Sequence, residues 1–414
     1  MTLAKRRSAL LIWLCSLVYF VSYLTRINYA AALSEIVAKL QVSNAFASLA
    51  VTGSFITYGL GQTLCGFLGD SISPRRMIAT GLVTTSLCNL LMPMMPTIYW
   101  MAGIWSINGF FQSMLWPPMM RILAENLAEA DFRRACIAVS TASAIATIVV
   151  YLLVPACIWI SGWQLAFFIP GVFGIAITLV WLVGTRSYSE GDRTGFLRRA
   201  ATALNAQAPG LWTLIRRSSL LPLMVVIILQ GTLRDGIATW MPTYINDRYQ
   251  LGTSLSILAS AILPLFHIIS VTAVSAIQKR ISNEVAVAAI MFATGAAAAI
   301  GLRLFFFSSP VFSVSCMALV TGSMHGVNTM LISRVPRHFS PYGRVATISG
   351  LLNTFTYVGS ALSSYGIAEV SDRWGWFFTV ALWAGIALAG TLICALCIRR
   401  WNRFCAVSAS KLLF

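Results

Sequence analysis

Charged side chains are scarce in this sequence. Asp, Glu, Lys and Arg make up 10% of its 414 residues, and only 12 of them are acidic. A globular chain carries nearer ~25%, so this set cannot clothe the two or three soluble domains that such a length would otherwise form. Also missing are a phosphate-cradling Gly-rich loop with its Lys, a G-x-S-x-G elbow and an H-E-x-x-H pair. No polar stretch is long enough to house a catalytic domain, so neither an enzyme nor a resident cofactor or metal is expected. The nine cysteines lie mostly inside apolar runs and read as small buried hydrophobes. Cys394 and Cys397 form a C-x-x-C without a second pair, which fits helix packing better than metal or redox chemistry.

What is present is apolar length: 58% hydrophobic residues and a mean hydropathy of +0.80. A spanning helix needs ~20 apolar residues. Twelve can be placed, at roughly 9–30, 46–69, 77–95, 99–121, 136–160, 164–184, 220–245, 254–277, 285–306, 311–333, 346–369 and 375–398; they are numbered here as spans 1 to 12. The one long polar stretch, Thr185 to Ser219, lies between spans 6 and 7. With both termini inside, 23 of the 29 basic residues fall on the cytoplasmic side, four (Lys39, Arg248, Arg303, Arg373) on the other, and Arg26 and Arg234 within spans. That asymmetry is the positive-inside rule. It gives the net charge of +17 a membrane explanation instead of a nucleic-acid one. A cleaved signal peptide is the competing reading of Lys5-Arg6-Arg7, the apolar run and Ala30-Ala31-Ala32. Cleavage would leave eleven spans and turn Arg399, Arg400 and Arg403 outward, so span 1 is expected to be retained. The expectation is a multi-pass inner-membrane protein, monomeric, with the lipid bilayer as its partner.

The layout divides into an N-terminal six-helix bundle (1–184), a cytoplasmic linker (185–219) and a C-terminal six-helix bundle (220–414). Arg26 follows the last N-terminal basic residue by 19 positions, and Arg234 follows the last linker basic residue by 17. Helix rise then puts both ~25–28 Å from the cytoplasmic loops, at similar depth. Two pseudo-symmetric six-helix bundles make an all-α membrane protein of the major facilitator fold.

A charge deep in a span costs ~2.5–3.5 kcal/mol on insertion scales, so Arg26 needs a reason. Tyr19, Tyr23 and Arg26 share one helical face by their i, i+4, i+7 spacing. The competing reading is an arginine snorkelling to the outer interface; against it, Asn28 and Tyr29 further along already read as interfacial. Arg234 repeats the feature in span 7. Two guanidinium forks facing one cavity suit phosphate or carboxylate oxygens. Asp235 is the one acid well inside a span. It lies ~100° around the helix from Arg234, so pairing between them is not assured, and it is a candidate either for proton coupling or for partnering a nearby polar group. His325 in span 10 is a candidate substrate donor or proton site, with helix packing as the plain alternative. His267 reads as packing, and His338 falls in a cytoplasmic loop.

The loop Gly66-Phe67-Leu68-Gly69-Asp70-Ser71-Ile72-Ser73-Pro74-Arg75-Arg76 resembles the cytoplasmic motif G-x-L-x-D-x-x-G-R-R of the major facilitator superfamily. The resemblance implies a gating latch of Asp70 with Arg75 and Arg76. The matching loop after span 8, Gln278-Lys279-Arg280-Ile281-Ser282, lacks the Gly and the Asp.

Three further runs narrow the resemblance: Y-x-x-x-Y-x-x-R-x-N from Tyr19 to Asn28, Asn108-Gly109 with Trp116-Pro117-Pro118-Met119-Met120-Arg121, and R-x-G-I-x-x-W-x-P-T-Y from Arg234 to Tyr244. Together they resemble the organophosphate:inorganic-phosphate antiporters over essentially the whole chain. The resemblance implies that Arg26 and Arg234 bind the substrate phosphate, with Tyr19, Tyr23, Tyr58 and Tyr357 around it. It also implies exchange of a phosphate ester for inorganic phosphate by alternating access. A proton-coupled carboxylate symporter and a non-transporting sugar-phosphate sensor stay open as alternatives. Drug exporters of the superfamily carry a Gly-Pro element late in span 5, where this chain has Val154-Pro155-Ala156-Cys157. The departures bear on the anion's identity. Gln62 stands where the family has a cavity-facing lysine, Glu125 replaces a histidine, Gly231 a tyrosine, and His325 an aromatic residue.

Overall fold

A computed structural model describes residues 3–68, 72–186, 211–342 and 345–410. All twelve expected spans are helical there. Span 1 is Leu3–Leu40, span 2 Leu49–Leu68 and span 3 Pro74–Leu91. Span 4 is Ile98–Gln112 continued by Trp116–Asn126. Spans 5 and 6 are Glu129–Ile160 and Leu165–Gly184. Span 7 is Leu220–Tyr249, and span 8 is Thr253–Ala259 joined through one 3-10 turn to Leu263–Gln278. Span 9 is Glu284–Leu304, and span 10 is Pro310–Asn328 followed by a π-helical Thr329–Arg334. Spans 11 and 12 form one hydrogen-bonded run, Val345–Ser410, broken at Gly375, whose φ of 75° takes the chain out of helical geometry. Nine helices among the described residues are long and apolar enough to cross a membrane, and one of these, Ile348–Ala406, contains both of the last two spans.

Local sequence explains where the helices begin. Ser73 accepts a hydrogen bond from Arg76 N with Pro74 in the first turn, and Ser309 accepts from Phe312 N with Pro310 behind it. The break in span 4 has the same origin. Pro117 and Pro118 offer no N–H, so the helix ends in i→i+3 bonds at Ser113, Met114 and Leu115 and a new helix starts at Trp116. Large apolar side chains stand exposed along the helices, among them Trp159, Phe307 and Leu396. On a soluble monomer such a surface would be anomalous; facing lipid it is required.

Two compact units emerge: Met1–Thr194 with Gln250–Pro264, and Gly195–Tyr249 with Leu265–Phe414. In the first, span 1 packs on spans 5 and 6, span 2 on span 4, and span 3 on span 6. In the second, Asp235 and Trp240 of span 7 bond Ser360 and Ser364 of span 11, while Glu284 at the start of span 9 bonds Trp401 of span 12. The same scheme is thus used twice, first helix on fifth and third on sixth. Even the clasp at the base repeats. Trp181 Nε1 donates to Arg75 O at 3.1 Å and Trp401 Nε1 to Glu284 Oε2 at 3.1 Å, with both indoles fully buried.

Two glycines set how closely these helices meet. A Cβ on Gly109 would lie 2.3 Å from Ser54 O, and one on Gly231 would lie 2.1 Å from Thr356 O. Any side chain there would push span 4 off span 2, or span 7 off span 11.

The sequence expectation fails in one place that matters. Asn28 and Tyr29 are not interfacial, because span 1 continues to Leu40 and buries both. Tyr29 donates to Ala47 O at 3.1 Å and packs on Trp105 and Phe167.

Candidate functional site

In the first unit the site is assembled on a polar bracket beneath Arg26. Span 1 exposes backbone carbonyls to its neighbours wherever a buried amide can reach them. Asn89 Nδ2 of span 3 donates to Thr25 O at 2.9 Å, and Asn108 Nδ2 of span 4 donates to the same oxygen at 2.8 Å. Gln112 Nε2 donates to Ser22 O and Thr25 Oγ1, both at 3.0 Å. Asn28 Nδ2 donates to Asn89 Oδ1 at 2.7 Å and to Ala166 O at 3.0 Å. In a low-dielectric interior such bonds polarise one another and fix geometry. They hold the residues on either side of Arg26, and so the base of its side chain.

The Arg26 guanidinium lies 4.1 Å from the centre of the Tyr58 ring of span 2, a cation–π contact that steadies a cation within a span. Tyr19 stacks obliquely on Tyr23 at 5.2 Å and on Trp116 at 5.0 Å. Gln62 sits one turn along from Tyr58 on the same face of span 2. Its Nε2 is shielded from solvent and has no hydrogen-bond partner among the described residues. A buried donor in that condition costs ~1–3 kcal/mol, which a ligand oxygen would recover. The structure therefore brings Arg26, Tyr58 and, on the neighbouring turn, Gln62 together, with Tyr19 and Tyr23 forming an aromatic group on span 1.

In the second unit Arg234 is gripped by Asp235. Nε donates to Oδ1 at 2.7 Å and Nη2 to Oδ2 at 2.6 Å, with the two side chains 11% and 18% exposed. The helical offset that left this pairing open is bridged by the length of the arginine. Ser360 Oγ of span 11 donates to Asp235 Oδ2, and it reaches that far because Gly231, one turn earlier, lets span 11 come close. A tyrosine, which the family pattern has there, would clash with Thr356 O, since even a Cβ would lie 2.1 Å from it. His325 is not isolated: its ring stacks on His267 with centroids 3.8 Å apart and planes at 17°, so His267, read as packing, packs on a candidate site residue. Tyr357 is buried on span 11 three residues before Ser360.

Of the expected gating residues, the structure describes Arg75 and Arg76. Asp70 lies outside the described residues, as does the side chain of Glu125. Arg75 is engaged inside its own unit, donating to Thr185 Oγ1 at 3.0 Å and to Leu182 O, both at the end of span 6. Arg76 is exposed. His338 is bonded to Glu284 Oε1 through Nε2 at 2.9 Å. Cys394 and Cys397 are both buried free thiols.

Sequence reasoning missed Asn89, Gln112 and Ser360 as contributors to the site. Each is a polar residue inside an otherwise apolar span, which was a readable signal, but nothing in the sequence gives its partner.

A family model described as Major Facilitator Superfamily matches residues 15–364. The chain is 25% identical over 405 residues to the membrane sensor protein UhpC of Escherichia coli, covering 92% of this chain and 90% of that one. It is 23% identical over 397 residues to a probable hexose phosphate transport protein of Chlamydia muridarum, at 90% and 87% coverage. A glycerol-3-phosphate transporter of Bacillus subtilis is 24% identical over 379 residues, at 86% and 84% coverage. Among solved structures, a bacterial homologue of the human lysosomal transporter Spinster, inward-facing and unoccupied, aligns with a TM-score of 0.72 at 12% identity over 98% of both chains. The nucleoside transporter NupG aligns with a TM-score of 0.69 at 15% identity, over 96% of this chain and 99% of that one.

Proposed function

This chain belongs to the Major Facilitator Superfamily, with relatives that fit its organophosphate:inorganic-phosphate antiporters, and from that premise we propose that it carries a small organic phosphate across the membrane in exchange for inorganic phosphate. The observation that supports this most is the repeated arginine. Each unit presents one guanidinium from its first helix, and each has that cation held by dedicated partners: the Tyr58 ring for Arg26, and Asp235 with Ser360 for Arg234. A cation within a span is expensive, so two at matching positions call for a shared anion.

The mechanism that follows is alternating access. The substrate phosphoryl group accepts hydrogen bonds from Arg26 and Arg234, neutralising them together and lowering the barrier to rocking one bundle against the other. Gln62 Nε2 adds a neutral donor, and Tyr19, Tyr23 and Tyr357 line the path of the organic moiety. Both termini face the cytoplasm, the bundles are 1–184 and 220–414, and the working unit is a monomer. Asp70, Arg75 and Arg76 act as a latch at the cytoplasmic base, away from the anion.

Counterflow in proteoliposomes tests the proposal. Vesicles loaded with inorganic phosphate should take up labelled hexose 6-phosphate or glycerol 3-phosphate, and uptake should stop when the internal phosphate is omitted. A sensor of the same ligands is the second reading, favoured by the likeness to UhpC. It predicts ligand-dependent thermal stabilisation without counterflow.

A further inference from the structure

The clasp at the base of the second unit contains a group that its counterpart in the first unit does without. Trp181 donates to a backbone carbonyl, Arg75 O, whereas Trp401 donates to the carboxylate of Glu284. That side chain is buried, and burying a carboxylate is costly unless its oxygens are engaged. One oxygen takes the Trp401 bond at 3.1 Å, and the other meets His338 Nε2 at 2.9 Å. His338 lies in the 3-10 segment Val335–Tyr342 that follows span 10, and its ring stands edge-on to Trp401 with centroids 5.4 Å apart. A third group completes the cluster. Cys405, a half-buried free thiol on the last turns of span 12, brings its Sγ within 4.8 Å of a carboxylate oxygen of Glu284 and a ring nitrogen of His338. Among the described residues no other three His, Cys, Asp or Glu side chains converge in this way. An ion pair with His338 would account for Glu284, but it gives the thiol no part.

We propose that Glu284, His338 and Cys405 bind one zinc ion. A sulfur, a nitrogen and an oxygen donor at a single point are the ligand set of a borderline-soft metal, whereas calcium and magnesium sites are built from oxygen alone. Zinc bonds of ~2.0–2.3 Å at tetrahedral angles place the donor atoms ~3.3–3.6 Å apart. The three atoms reach that spacing by side-chain shifts of ~1 Å. His338 and Glu284 separate slightly to admit the ion, and the Cys405 thiol gives its proton to solvent as the thiolate binds. Trp401 Nε1 keeps its bond to the carboxylate, as outer donors do for metal ligands. Three protein ligands leave the fourth position to water, so the ion exchanges instead of being locked in as a structural zinc. Bound, it ties together the start of span 9, the connection between spans 10 and 11, and the end of span 12. The site owes nothing to Arg26, Arg234 or the identity of the substrate. No sequence spacing announces it, since its ligands are spread from position 284 to position 405.

Cobalt(II) reports on such a site, because its thiolate complexes have a near-ultraviolet charge-transfer band. Tag-free, full-length protein, in phosphate-free buffer with a phosphine reductant, is titrated with cobalt chloride and then with zinc chloride. The wild-type protein should take up one cobalt ion with that band, and lose the band as zinc displaces the cobalt. Cys405→Ser should abolish the band, and His338→Asn should weaken zinc binding by at least about 100-fold. Trp401→Phe, which removes only the outer hydrogen bond, should weaken it roughly tenfold, whereas Cys316→Ser should leave both readouts at wild-type level. Zinc should also shield Cys405 of the wild-type protein from maleimide alkylation, mapped by mass spectrometry, and leave the other thiols as reactive as before. That measurement needs no variant to fold. A wild-type protein without the charge-transfer band, a band that survives Cys405→Ser, or equal alkylation of Cys405 with and without zinc overturns the inference.

Discussion

Replacing Asn89 with alanine should damage a site that Asn89 never touches. Its side chain makes three hydrogen bonds: it accepts from Asn28 Nδ2 at 2.7 Å and donates to Thr25 O and Thr85 O, both at 2.9 Å. The first two cross from span 3 to span 1, and interhelical bonds in membranes are worth about 0.6–1.7 kcal/mol each. Their loss removes ~1–3 kcal/mol. The cost stops there because the orphaned groups keep other partners: Thr25 O still receives Asn108, and Asn28 still reaches Ala166 O. The protein should therefore fold, with a lowered melting temperature. Arg26 follows Thr25 directly, so the loosened bracket should displace its guanidinium, and misplacement of about 1 Å can cost up to ~100-fold in function. Half-saturation for counterflow is expected to rise about tenfold. Ser86→Ala in the same helix removes only a bond to its own helix at Leu82 O and should change stability by no more than ~0.5 kcal/mol. Melting of the detergent-purified protein and uptake half-saturation decide the matter. An Asn89→Ala protein with both values at wild-type level would refute the idea that the bracket aims Arg26.

Other consequences are as direct. Gly231→Ala should destabilise by about 1–3 kcal/mol, through overpacking against backbone that cannot yield, and should lose transport with it. Gly301→Ala, where an added Cβ would meet nothing among the described residues within 4 Å, should be neutral or stabilising by up to ~1 kcal/mol in the same melting assay. Tyr58→Phe should preserve affinity because the ring face remains, whereas Tyr58→Leu should lose the ~0.5–2 kcal/mol of a cation–π contact, read as a roughly two- to thirty-fold higher dissociation constant from a thermal-shift titration. Gln62→Lys should favour doubly charged phosphate esters over monoanionic carboxylates by ~1–3 kcal/mol for one cation added at ~6 Å. An unchanged preference would show that Gln62 does not face the ligand.

The spans were legible because lipid imposes a simple requirement. Every turn exposed to hydrocarbon must be apolar, whatever its neighbours are, so twelve runs and their charged ends stand out without any knowledge of packing. Arg26 and Arg234 were legible for the converse reason, as charges where charge is unaffordable. What stayed hidden depends on which helix lies beside which. Span 1 was ended too early because Asn28 looks polar in sequence and becomes apolar in effect once Asn89 and Ala166 O satisfy it. The pairing of Asp235 with Arg234 was hidden because residue offset around a helix describes Cβ directions, while a long arginine folds back across it. Gly231 read as the loss of a hydrogen-bonding side chain, and its gain, the close approach of span 11, exists only in three dimensions.

The central claim is that Arg26 and Arg234 hold one anion together, and phosphate-driven counterflow with Arg26→Lys, Arg234→Lys and the double variant measures it. A lysine keeps the charge and loses the two-pronged donor. Breaking either half of a desolvated anion contact costs ~2–5 kcal/mol, roughly 30- to several-thousand-fold in affinity. Because the two act as a unit, the double variant should be hardly worse than either single one, while all three fold and melt normally. If either single variant binds hexose phosphate and exchanges it for inorganic phosphate at wild-type affinity, that arginine takes no part in holding the anion and the claim is wrong.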